Sequence, residues 1–120
     1  MTLAMSTDNF RIEERNGAQL LRLRGEVDFS QRAEFEDALA GSTADRPLVV
    51  SFAECTFCDS SIVGALMKLR NNRPNAEITL IISPESAVAR VFDLVGIDRV
   101  FTVEPDESNE TEQPAGTGAS

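Results

Sequence analysis

Apolar and polar positions change period several times along the chain, and each change predicts an element. Residues 9–14 (NFRIEE) and 18–24 (AQLLRLR) are extended runs in which Leu21 and Leu23 alternate with Arg22 and Arg24. They predict a β-hairpin with one wet face, closed at Asn16-Gly17, where both residues tolerate positive φ. Residues 29–41 carry Phe35, Ala38 and Leu39 at helical spacing. Asp28 with Gln31 three positions on resembles a capping box, and Gly41 stops that helix. PLVVSFA (47–53) is a short apolar run with β-branched residues in its middle, which predicts a buried strand.

From Ser61 to Asn71, Ile62, Ala65, Leu66 and Leu69 share one helical face, and Lys68, Arg70 and Arg73 suit the C-terminal dipole. EITLII (77–82) predicts a further buried strand. The next helix is placed with Ser83 as N-cap, Pro84 as first helical residue and Gly96 as its left-handed stop, with Val88, Val91, Phe92 and Val95 as its stripe. RVFTV (99–103) predicts the last strand. The order β-β-α-β-α-β-α-β with right-handed crossovers gives an α/β fold. Its mixed, mostly parallel sheet has about five strands, with three helices largely on one face and an N-terminal β-hairpin.

Composition adds boundaries. The chain has 120 residues and a net charge of −9, with seven Phe and no Tyr or Trp. This fits one domain with a core built mainly from Val, Leu, Ile and Ala. Residues 1–8 are expected to be a flexible N-terminus, residues 9–104 the domain, and residues 105–120 an acidic, disordered tail. From Glu104 onward there are five acids and no base; the rest holds 15 acids against 11 bases, a charge of −4. That balance disfavours nucleic acid and an anionic membrane surface. No apolar run approaches 18 residues, and MTLAMSTDNF lacks the regions of a signal peptide. The expected location is the cytoplasm, where thiols stay reduced.

CTFCDSSIVGAL (55–66) concentrates the candidate chemistry. Cys55 and Cys58 stand alone in a chain without His, which disfavours zinc, and no cofactor is expected. A thiol redox role is the less favoured alternative, since Asp59 directly after Cys58 opposes thiolate formation. Two small apolar residues at a strand's end is the simpler reading. Ser60 and Ser61 have no His partner and no Gly-x-Ser-x-Gly elbow, so hydrolase chemistry lacks support. A receiver-type phospho-acceptor at Asp59 lacks its companion residues, since the only Lys is Lys68 in mid-helix. An enzyme is not expected. Plain helix capping by Asp59 or Ser60 accounts for the stretch by itself. The same geometry suits phosphorylation, which adds roughly −1.5 to −2 charges at a helix start able to hold them.

LRLRGEVD (21–28), LVVSFAECTFCDSS (48–61), Gly64 and SPESAVARVFDLVGI (83–97) together resemble the STAS-domain anti-sigma factor antagonists of bacterial partner-switching systems. The likeness runs over residues 9–104. It implies the STAS fold and a non-enzymatic role in transcription regulation. In that role the unphosphorylated protein binds an anti-sigma factor that is also a GHKL-type serine kinase, and so frees a sigma factor. Phosphorylation ends the binding and a phosphatase resets it. The serine after the Asp, the acceptor in the family motif, falls on Ser60. Asp28, Asp59 and Ser61 fall on the partner-facing rim, and Ser83 on the following rim loop. Ile62 stands at the rim where the motif has Gly, so its side chain is expected to narrow partner choice or weaken docking. The final helix of many members is replaced by the acidic tail. The alternative within the family is a structural subunit of an ABC lipid-transport or stress-signalling complex.

Overall fold

The computed structural model describes residues 5–6 and 9–105. The expected acidic tail lies outside the described residues beyond Pro105. Among the described residues six strands form one sheet in sequence order: β1 (Met5–Ser6), β2 (Phe10–Arg15), β3 (Ala18–Val27), β4 (Leu48–Cys58), β5 (Ile78–Ile82) and β6 (Thr102–Pro105). Helices α1 (Arg32–Ala40), α2 (Ser60–Asn72) and α3 (Ala87–Val95) alternate with the later strands. β1, β2 and β3 are antiparallel, and β3 to β6 are parallel. Met5–Ser6, within the stretch read as an N-terminal arm, pairs with Ile12 and Arg11 and adds the sixth strand.

The hairpin closes as its sequence predicts, with Asn16 at φ 55° and Gly17 at φ 82° between paired Arg15 and Ala18. Each parallel strand is added on the same side of the last, so right-handed crossovers place the helices on one face. Leu21, Val50 and Leu80 are in register across that face and are at most 1% exposed. Phe35 of α1 stacks on Phe10 at 5.7 Å, and Phe92 of α3 meets Phe52 edge-on at 5.0 Å. On the opposite face Glu13 gathers Arg11, Arg15 and Arg22 at 3.5–3.6 Å. Among the described residues no helix is long and apolar enough to cross a membrane.

Several boundaries differ from the sequence reading, and three of them have a clear local cause. β4 does not stop at 53 but continues to Cys58, because the far end of β3 supplies pairing partners up to Val27↔Cys58. α3 starts after Ser86, not Ser83. Ser83-Pro84-Glu85-Ser86 is a turn in which the Ser86 N–H and hydroxyl donate to the Ser83 carbonyl at 3.1 and 2.7 Å. Ser86 Oγ then accepts from Ala89 N. Pro suits the second position of a β-turn as well as the first turn of a helix, and here the turn wins. The last strand starts at Thr102, because Ile97–Arg99 forms a 3₁₀ turn that buries Ile97 and Phe101 at helical spacing.

Candidate functional site

The site forms where β3 and β4 end side by side. Val27 and Cys58 are paired, so Asp28 and Asp59 emerge together. Each aspartate then caps a helical turn in the same way. Asp28 Oδ1 accepts from Ser30 N at 3.0 Å and Ser30 Oγ at 2.7 Å. Asp59 Oδ1 accepts from Ser61 N at 3.0 Å and Ser61 Oγ at 2.5 Å. In each Asp-x-Ser unit the serine hydroxyl is turned back onto the aspartate and the middle residue projects outward. Those middle residues are Phe29, 72% exposed, and Ser60, also exposed. The Ser60 hydroxyl has no hydrogen-bond partner among the described residues.

The two units are tied together. Asp59 Oδ2 accepts from Phe29 N at 3.1 Å, which fixes the lead-in to α1 against the start of α2. The Ser61 hydroxyl holds the Asp59 carboxyl below the usual carboxylate range, helped by the N–H groups of Ser61, Phe29 and Ile62. The capping box at Asp28 is closed by Gln31, whose Oε1 accepts from Asp28 N. Gln31 Nε2 donates to Asn9 Oδ1, and Asn9 Nδ2 donates to the carbonyls of Arg24 and Glu26. The rim is thus anchored to β3 by Asn9, which the sequence pattern did not single out.

Ile62 is not at the rim. Its side chain is fully buried among the core residues under α2, at 0% exposure. The first turn of α2 carries Ser60 outward, and two positions on the helix has turned toward the sheet. A side chain at 62 therefore supports the core and adds nothing to the exposed surface. Ser83 is set back. β5 pairs with β4 only as far as Ser51↔Ile81, and Arg22 pairs with Ser51. Four residues of β3 separate the level of Ser83 from Asp28, roughly 13 Å at about 3.3 Å per residue.

Cys55 and Cys58 are both free and buried. Residues three apart on a regular strand face opposite ways, but here a bulge brings both inward. Gly25 pairs with Cys55 and Glu26 with Phe57, so Thr56 is an extra residue. Cys55 Sγ donates to the Phe57 carbonyl at 3.3 Å. The neighbouring Cys58 thiol holds Cys55 below the ordinary thiol value, against its burial. Cys58 is pushed far up by Cys55, by burial and by Asp59. Among the described residues no cluster of His, Cys, Asp or Glu is arranged to hold a metal ion.

Across the α1–α2 seam from Gly64 lies Arg32, another residue that the sequence pattern did not mark. A Cβ at Gly64 would lie 3.2 Å from Arg32 Nη1, so the guanidinium rests on that glycine. Arg32 Nε donates to Glu36 Oε2 at 2.8 Å, and Lys68 Nζ reaches the other oxygen of Glu36 at 3.3 Å.

The STAS domain family profile matches residues 9–110 of the chain. The chain belongs to the STAS domain family. Solved structures share this STAS fold at low identity. An anti-sigma factor antagonist from Mycobacterium paratuberculosis is 20% identical with a TM-score of 0.74, over 90% of this chain and 97% of that one. A putative anti-sigma factor antagonist from Thermotoga maritima is 14% identical with a TM-score of 0.68, over 87% and 92%. The Bacillus cell fate determinant SpoIIAA, in its phosphorylated form, is 22% identical with a TM-score of 0.56, over 86% and 96%.

Proposed function

We propose that this STAS protein is a phosphorylation-gated anti-sigma factor antagonist. Its unphosphorylated form binds an anti-sigma factor that is also a GHKL-type serine kinase and so frees a sigma factor. The observation that carries this reading is the difference between two adjacent serines. The Ser61 hydroxyl is committed to Asp59, whereas Ser60 is exposed with its hydroxyl unpartnered among the described residues. Ser60 Oγ would attack the γ-phosphorus of ATP on the kinase. The new O–P bond forms as the bond to the bridging oxygen breaks, ADP leaves, and the hydroxyl proton passes to a base of the kinase. Asp59 serves as a cap here, since its carboxylate is occupied by three donors.

Exposed apolar surface flanks the acceptor: Phe29 at 72% and Phe57 at 43%. A docked kinase would cover these rings, as aromatic anchors commonly are at interfaces. Phosphate on Ser60 adds roughly −1.5 to −2 charges next to Asp59. The partner then meets charge and bulk where a hydroxyl had been, and the domain keeps its fold. A phosphatase would restore the binding form. Solved relatives that are anti-sigma factor antagonists, one of them in a phosphorylated form, support the reading. The test is incubation with the cognate anti-sigma kinase and ATP, followed by mass mapping. Phosphate on Ser60, none on Ser60→Ala, and weakened kinase binding by Ser60→Asp are expected. Phosphate on Ser61 alone, or undiminished binding by Ser60→Asp, would refute it.

A further inference from the structure

We propose that Arg32 is a positioning residue for phosphate on Ser60, taking the phosphoryl group within the same chain. The inference rests on the reading of Ser60 as the modified residue. Ser60 and Gly64 are four residues apart on α2, so they share one stripe of the helix, about 6 Å apart along its axis. Side chains on a helix lean toward its N-terminus, so the space over Gly64 opens toward Ser60. The Arg32 guanidinium fills that space: Nη1 lies 3.2 Å, and Cζ and Nη2 3.5 Å, from where a Cβ would stand. Any larger residue at 64 would push the guanidinium away.

The guanidinium has an edge to offer. Nε is bound to Glu36, while Nη1 and Nη2 have no hydrogen-bond partner among the described residues. Arginine can bond two anions through separate edges, which lysine's single ammonium does less well. Glu36 also keeps Lys68 as a partner, so turning Arg32 toward a phosphate does not strand the carboxylate. The position of Arg32 is set from two sides. The Asp59–Phe29 bond fixes the chain three residues before it, and the Glu36 bond fixes its tip. Asp28 and Asp59 make the cap region acidic, and Arg32 is the cation that offsets a dianion placed there. Phosphorylation thus closes a link between α1 and α2 as well as repelling the partner.

The full chain is prepared with phosphoserine incorporated at position 60 during synthesis, so that no kinase is needed. The second ionisation of the phosphate is followed by phosphorus NMR. In Arg32→Gln the phosphate is expected to titrate about half to one pH unit higher than in the parent. Arg32→Lys recovers part of the difference. Lys68→Gln, which removes the cation one turn further on, moves the titration less than Arg32→Gln. An unchanged titration in Arg32→Gln overturns the proposal, as does a shift in Lys68→Gln equal to or larger than that in Arg32→Gln. If Arg32→Gln leaves the titration unchanged but slows phosphorylation by the kinase, Arg32 serves the nucleotide and the intramolecular link is wrong. Failure of the kinase to modify Ser60 would end the switch reading and leave this titration standing.

Discussion

Asp59 holds the rim together with three hydrogen bonds from two segments, and removing it should be felt at both. Asp59→Ala loses the cap of α2 and leaves Phe29 N without its acceptor, a cost of about 1–2 kcal/mol in urea unfolding. The carboxyl also links stability to pH. Its folded pKa is depressed, first by the Ser61 hydroxyl, so the unfolded chain takes up a proton more readily. Its stabilising contribution is present above the ordinary carboxylate value near about 4 and is lost as pH falls through the folded value. Asp59→Asn should therefore show a shallower loss of stability below about pH 4 than the parent. Equal acid slopes in the two proteins would count against this account.

At the scale of elements, the first turn of α2 decides what each residue of Asp-Ser-Ser-Ile does. Ile62→Gly places in this chain the glycine that the family motif carries. The result should be a destabilised domain, by roughly 3–5 kcal/mol, since a fully buried side chain is lost and glycine is a poor helix former. No gain in kinase binding is expected, as the side chain faces away from the rim. The bulge in β4 makes a parallel case for the cysteines. Both thiols should react with a thiol reagent only as fast as the domain opens, and freely in urea. Rapid labelling of the native protein would reopen redox chemistry at Cys55, whose thiol is the one held low. The elements themselves were legible in the sequence, because periodicity, Asn-Gly and capping residues act over a few positions. The starts of α3 and β6 were not, because Pro84 and Gly96 fit more than one local structure.

Over the whole molecule, the sheet order leaves one end overhanging. β3 and β4 overrun β5 and lead out past it to Ser60 and two exposed aromatic rings, Phe29 and Phe57. Phe29→Ala should leave stability within about 0.5 kcal/mol. It should also weaken binding to the anti-sigma kinase by about tenfold or more, measured by titration calorimetry. Unchanged affinity would place the docking surface elsewhere. The sequence by itself determined where the helices lie, most of the strands and the capping box of Asp28 with Gln31. These depend on contacts between residues two to four apart. The apolar stripe of α2 already held Ile62, and its burial follows that stripe and not the motif position. Tertiary structure alone decided that Ser83 is set back, that a bulge turns Cys55 and Cys58 to the same side, and that Arg32 rests on Gly64. Each of those depends on which residues of distant segments are brought level, and that is set by strand register and helix packing across the fold.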